Sequence, residues 1–212
     1  MKRRFFAAII LLMACIGGTA CDGQQAPATE TIILIRHGEK TTSELGQLNI
    51  RGLNRSLALP QVLIGKYGKP THIFAPDPAD DISTLTHKYA YIRPLATIEP
   101  TAIYLGMPVN CQIGFLDIHK LQTELAKPQY AKGTIFIAWE HGMEDLFAKD
   151  IMATYSGSDS MVPDWPGNDY DSIFVIRITR SDHHASATFT KDTEGLNDKL
   201  TDSFPGPARS GS

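Results

Sequence analysis

Two short apolar runs, Thr31 to Ile35 and Thr134 to Trp139, each end in a charged residue, a histidine and a glycine. Arg36-His37-Gly38 follows the first and Glu140-His141-Gly142 follows the second. Nearly continuous runs of this length predict strands covered on both faces, as in the parallel sheet of an α/β protein. Such sheets bind ligands beyond the C-terminal ends of their strands, so both histidines fall where chemistry is done. Each glycine permits a sharp turn and lets a ligand approach the backbone. The matched pair constrains the chain more than either tripeptide alone.

The rest of the chain fits between these strands. Residues 52–67 carry Leu53, Leu57, Val62 and Ile64 with helical character, and Pro60 is expected to kink or divide the segment. A strand is predicted over 71–75, then an irregular loop marked by Pro76, Pro78 and Asp80-Asp81. Helices are predicted over 97–105, stopping near Gly106 and Pro108, over 117–126, and after the Thr134 to Trp139 run through about Tyr155, where Met143, Leu146, Phe147 and Ile151 recur. A loop rich in Gly, Ser, Asp and Pro covers 156–170, strands cover 172–178 and 185–191, and the tail after Gly195 reads as loose. Strands alternating with helices predict an α/β three-layer sandwich around a mainly parallel sheet.

The start of the chain reads as a leader. Lys2, Arg3 and Arg4 precede an apolar run from Phe5 to Met13, and Gly18, Thr19 and Ala20 supply small residues for cleavage. Residues 1–20 are therefore expected to be a signal peptide, 21–30 a linker, 31–195 the folded domain and 196–212 a flexible tail. Gly18-Thr19-Ala20-Cys21 and Leu12-Met13-Ala14-Cys15 both resemble lipoprotein processing sites, so lipid attachment at Cys21 or Cys15 stands beside plain secretion. In an oxidising compartment Cys21 is either free or paired with Cys111. Export to the periplasm or cell envelope is expected. Loss of the leader removes three of the 20 Lys and Arg and none of the 23 Asp and Glu, taking the net charge from −3 to −6. A net acidic domain without basic clusters argues against nucleic-acid binding.

The strand-end residues suit a phosphate ester. A neutral imidazole can attack phosphorus and carry the group as phosphohistidine, which divides one difficult displacement into two easier ones. A phosphoryl group in transfer spreads charge over three oxygens, and fixed guanidinium forks match that geometry. Arg36 lies beside His37, and His141 can add a hydrogen bond.

Ile33-Leu34-Ile35-Arg36-His37-Gly38-Glu39-Lys40 resembles the signature of the histidine phosphatase superfamily, which includes phosphoglycerate mutases and acid phosphatases. Arg93-Pro94-Leu95-Ala96-Thr97, with Leu105-Gly106-Met107-Pro108-Val109, is similar to the family's second-arginine segment, although Pro94 and Ala96 depart from its pattern. Ala138-Trp139-Glu140-His141-Gly142 resembles the second-histidine segment. The likeness spans residues 31–191. It implies a phosphoglycerate mutase-like fold, His37 as the phosphorylated nucleophile, phosphate held by Arg36, Arg93 and His141, help from Lys40, and neither metal nor cofactor. The proton donor departs from the family: Gly142 stands where acid phosphatase relatives have an acid. Glu140 is the first candidate, with Asp117, Glu144 and Asp145 as alternatives.

Other residues are read more plainly. Arg51 and Arg55 are expected on the solvated face of a helix, with a place at the mouth of the site as the alternative. His87 and the pair His183-His184 have no second partner at ligand spacing, so no metal site is expected. Trp139 and Trp165 read as packing. The expected activity is hydrolysis of a small phosphate monoester, with a phosphate-ester binding module and a phosphomutase as rival readings.

Overall fold

The computed structural model describes residues 28–43, 45–83, 88–181 and 184–206. The leader, Cys15, Cys21, His87 and His183 lie outside them. The central sheet contains β1 (Ala28–Arg36), β2 (His72–Phe74), β5 (Gly133–Trp139), β6 (Ser172–Ser181) and β7 (His184–Thr193), in the order β2-β5-β1-β6-β7. A small hairpin of β3 (Asp81–Ser83) and β4 (Lys88–Ala90) stands apart from it. The helices are α1 (Ile50–Tyr67), α2 (Arg93–Leu105), α3 (Ile118–Leu125) and α4 (His141–Ser156).

The two apolar runs became the centre of the sheet. β1 and β5 pair in parallel from Glu30 opposite Gly133 to Arg36 opposite Trp139, so their ends are level. Alternation along these strands divides the core between the two faces. Ile32, Leu34, Ile135, Ile137 and Trp139 pack with Leu121, Phe147 and Met152 of α3 and α4. Ile33, Ile35, Phe136 and Ala138 pack with Leu59, Leu63, Ile98 and Ala102 of α1 and α2. Three layers result, as expected.

The sheet is less parallel in its pairing than the sequence suggested. β2 and β1 flank β5 in parallel, but β6 is antiparallel to β1 and β7 antiparallel to β6. Only residues 182 and 183 separate β6 from β7, and so short a connection can join only antiparallel neighbours. Four of the five strands still run in one direction.

Other departures have local causes. α1 runs through Pro60 undivided, because Leu59, Pro60 and Leu63 are all buried on its packed face. α2 begins at Arg93 rather than 97, and Pro94 in the first turn needs no N–H partner there. Gly106 ends that helix in the left-handed conformation at φ 62°. Part of the segment read as loop forms the β3–β4 hairpin. The tail is not loose through residue 203. The Asp171 carboxylate accepts from the backbone N–H groups of Gly195, Leu196 and Asn197. Arg51 donates to the Leu200 carbonyl at 3.1 Å, and Asn54 donates to those of Thr201 and Ser203 at 2.7 and 2.9 Å. Leu196 adds its side chain to the core.

Candidate active site

His37 stands at the end of β1, only 2% exposed, and its backbone N–H donates to the Trp139 carbonyl at 3.0 Å. Its Nδ1 lies 2.8 Å from the Gly38 carbonyl oxygen. A carbonyl only accepts, so the proton sits on Nδ1 and Nε2 keeps its lone pair. Burial, then the charges of Arg93 and Arg36 and the nearby His141, lower its pKa to about 3, against the opposing effect of the Gly38 hydrogen bond. His37 is therefore a neutral base at ordinary pH. The turn beneath it is held by a glycine pair: a Cβ on Gly38 would lie 2.9 Å from the Gly52 backbone, and one on Gly52 would lie 2.4 Å from the Glu39 carbonyl. Only paired glycines let α1 come this close.

Both expected arginines reach this imidazole. Arg36, 2% exposed, stacks 3.8 Å from the Tyr170 ring centroid and donates through Nη1 to the carbonyls of Gly167 and Asp169 at 2.7 and 3.0 Å. Its Nε has no partner. Arg93, 6% exposed, lies over the Tyr91 ring at 4.8 Å, and its Nε and Nη1 are buried without an acceptor. Thr97 joins the two segments: its hydroxyl accepts from the Gly38 N–H at 2.9 Å and donates to the Arg93 carbonyl at 2.8 Å. Thus one side chain couples the turn after His37 to the first turn of α2.

His141 opens α4 and is half-buried, and its electrostatic influence reaches His37. Burial, Arg36 and Lys40 lower its pKa, while Glu140 acts in the opposite direction. Lys40, whose backbone bridges to Leu48, is thereby placed within electrostatic reach of the second histidine. The Nε2 of His141 faces the loop before β6, where a Cβ on Gly167 would sit 3.6 Å away.

Glu140 has a different occupation from the one expected. It is the N-cap of α4, with Oε2 accepting from the N–H groups of Gly142 and Met143 at 2.8 and 3.1 Å, while Oε1 makes an ion-pair contact with Nδ1 of His141. One carboxylate oxygen thus caps the helix while the other rests against the imidazole and supports its orientation. Among the alternatives, Asp145 pairs with Lys149 at 2.7 Å. Asp117 precedes α3 and, with Asp80, approaches Gly114. Glu144 is fully buried with both oxygens unpartnered, and burial followed by Glu140 raises its pKa well above the usual range.

Arg55 corrects another expectation. It is fully buried, not solvated, and binds Glu39 through two nitrogens, as well as Asp171, Glu194 and Asn197. Sequence reading also missed Tyr91 and Tyr170, whose ring centroids lie 6.0 and 6.3 Å from that of His37. Tyr91 is two residues before Arg93, and Tyr170 lies at the end of the polar loop, but no spacing rule marks either. A groove of about 510 Å³ between β2 and residues 107–112 contains none of the site residues.

No protein-family model and no curated protein matches the chain by sequence. Solved structures do match it. A mycobacterial glucosyl-3-phosphoglycerate phosphatase superposes with a TM-score of 0.52 at 11% identity, covering 76% of this chain and 97% of that one. A protein described as the phosphohistidine phosphatase SixA, from Agrobacterium tumefaciens, gives 0.51 at 12% identity, covering 76% and 97%. A protein described as an alpha-ribazole-5'-P phosphatase, from Escherichia coli K-12, gives 0.50 at 11% identity, covering 77% and 96%. At such identities the likeness is one of fold. The chain shares with these structures an α/β sandwich fold.

Proposed function

We propose that this chain is a phosphatase that hydrolyses phosphate monoesters through a phosphohistidine on His37. One observation carries the reading: a neutral, Nδ1-protonated imidazole at a strand end, beside two buried guanidinium groups of which Arg36 Nε, Arg93 Nε and Arg93 Nη1 have no protein acceptor among the described residues. Buried donors of this kind are costly unless a ligand satisfies them, and phosphoryl oxygens are acceptors of the right charge. The solved structures of similar fold include several phosphatases, which supports the same chemistry.

In the proposed reaction the Nε2 lone pair of His37 attacks phosphorus, and the bond to the leaving oxygen breaks with its electrons going to that oxygen. Arg36, Arg93 and His141 hold the phosphoryl oxygens, with Lys40 adding charge at the mouth. Glu140 supports a protonated His141, and the Nε2 proton of that imidazolium passes to the departing oxygen. Water then attacks phosphorus and gives its proton to His141, and the phosphorus–nitrogen electrons return to His37. The leader pattern supports placing this activity in the cell envelope.

Turnover of p-nitrophenyl phosphate across about pH 4 to 8, with and without EDTA, tests the reading. Chelator-insensitive turnover that is abolished in His37→Ala is the expected result. Tight phosphate binding without turnover of any ester would instead make the chain a binding module.

A further inference from the structure

Tyr91 has no role in the reaction as described, yet it is as enclosed as the nucleophile. The residue is 1% exposed, and its hydroxyl is buried without a hydrogen-bond partner. Three contacts fix its ring. His37 meets it edge-on at 6.0 Å and 87°, Phe115 does so at 4.8 Å and 71°, and the Arg93 guanidinium covers a face at 4.8 Å. The guanidinium also attracts the phenolic oxygen and opposes the effect of burial on its pKa, but among the described residues no partner meets that oxygen in hydrogen-bond geometry. The hydroxyl also lies within electrostatic reach of Arg36, Glu140 and Glu144. It thus joins Arg36 Nε, Arg93 Nε and Arg93 Nη1, which also lack partners among the described residues.

We infer that the Tyr91 hydroxyl is a further catalytic donor, hydrogen-bonding an oxygen of the phosphoryl group held against His37; this rests on the phosphatase reading. Three properties suit it to the task. The ring cannot swing, so the donor is preorganised and no reorganisation is needed as charge develops. Being neutral, it adds no repulsion to the two arginines. Burial pushes its pKa above the usual tyrosine range, so the proton is retained wherever His37 is a free base. A buried tyrosine hydroxyl normally finds a partner, and in this pocket a phosphoryl oxygen would be one.

Tyr91→Phe removes only the hydroxyl. Inorganic phosphate affinity by titration calorimetry, p-nitrophenyl phosphate kinetics and thermal unfolding should be measured on the intact chain and on the variant. Removal of an oxyanion donor costs about 10²-fold or more where it is the main donor, so about tenfold is expected here, in phosphate affinity and in kcat alike. The melting temperature should hold or rise, because an unsatisfied buried hydroxyl is deleted. Unchanged phosphate binding and kcat in the variant, beside an active unsubstituted chain, would overturn the inference and leave the phosphatase reading intact. A lowered melting temperature with unchanged binding would also overturn it, by showing that the hydroxyl has its partner within the protein. An unsubstituted chain that neither binds phosphate nor turns over any ester would overturn both.

Discussion

Arg55 and Arg93 are both almost wholly buried and close to the same turn, yet their surroundings are opposite. Every nitrogen of the Arg55 guanidinium has an acceptor: Glu39 at 3.0 and 2.8 Å, Asp171 at 3.3 Å, Asn197 at 2.8 Å, and Glu194 in a tight contact. Arg93 has two nitrogens with none. The first is a closed network joining the turn after His37 to α1, the start of β6, the end of β7 and the tail. The second is left open: two N–H groups have no protein acceptor among the described residues, and a bound anion would supply one. A buried cation is costly in either setting, so satisfied partners indicate a structural role and missing partners a ligand. Burial alone does not distinguish a brace from a binding group; the acceptor inventory does.

The largest test exchanges the two. Arg55→Met leaves Glu39, Asp171 and Glu194 facing one another without their cation, and should cost about 3–5 kcal/mol of stability. For a chain of this size each kcal/mol is about 2–4 °C in Tm, so thermal unfolding reads the loss directly. Arg93→Met should leave Tm unchanged or higher and lower kcat/KM on p-nitrophenyl phosphate by about 10²- to 10³-fold. If Arg93→Met proved the less stable of the two variants, the division between brace and site would fail.

The two regions should also respond to pH in opposite directions. In the open cluster, His37 has a folded pKa of about 3 against an ordinary value of 6.5, so between these the unfolded chain binds a proton the folded chain refuses. Stability should therefore fall as pH drops from 6.5 towards 3. In the closed cluster, burial, with Asp171 and Glu39 adding to it, raises the Glu194 pKa against the pull of Arg55. The folded chain then holds a proton the unfolded chain has lost, and stability should fall as pH rises above 4.5 towards the raised value. Urea unfolding across that range should show both limbs, with His37→Asn flattening the acid one and Glu194→Gln the other. The same shifts set the rate profile. His37 stays nucleophilic to about pH 3, while His141, pushed below its ordinary value, must be protonated to act as an acid. An acidic optimum in kcat/KM is expected, falling as pH rises through the His141 pKa.

What could be read from the sequence was whatever is local and periodic. The two apolar runs located the central strands, and the His-Gly sequences after them located His37 and His141 at the ends of those strands. Arg93 was singled out by the resemblance of its segment to the family's second-arginine segment. Arg55 was missed because a single arginine on an amphipathic helix ordinarily faces water. Its three carboxylates come from segments up to 139 residues away, and only the fold brings them together. Glu140 was seen but given a different task, since a carboxylate before a helix can be an acid or a cap, and backbone geometry decides which. Tyr91 and Tyr170 gave no signal, because their importance comes from the guanidinium groups stacked on them. The docked tail was missed because most of its anchors are backbone N–H and carbonyl groups, which carry no sequence identity.

Glu140 sharpens the comparison at the smallest scale, because it is a buried-edge carboxylate serving both purposes at once. One oxygen belongs to the fold, accepting two N–H groups at the start of α4, and the other belongs to the site, against His141. Glu140→Ala should lose about 1 kcal/mol through the missing cap. It should also release His141 from its supported orientation and lower its tendency to hold a proton. Glu140→Gln keeps an oxygen for the cap but offers His141 no charge, so the two effects should separate. Stability should recover in the glutamine variant, while turnover of alkyl phosphates, whose leaving oxygen needs a proton, should stay low. Turnover of p-nitrophenyl phosphate, whose leaving group departs readily as the anion, should suffer less. Equal losses on both substrates would mean that Glu140 holds only the helix, leaving the site to the arginines and the nucleophile.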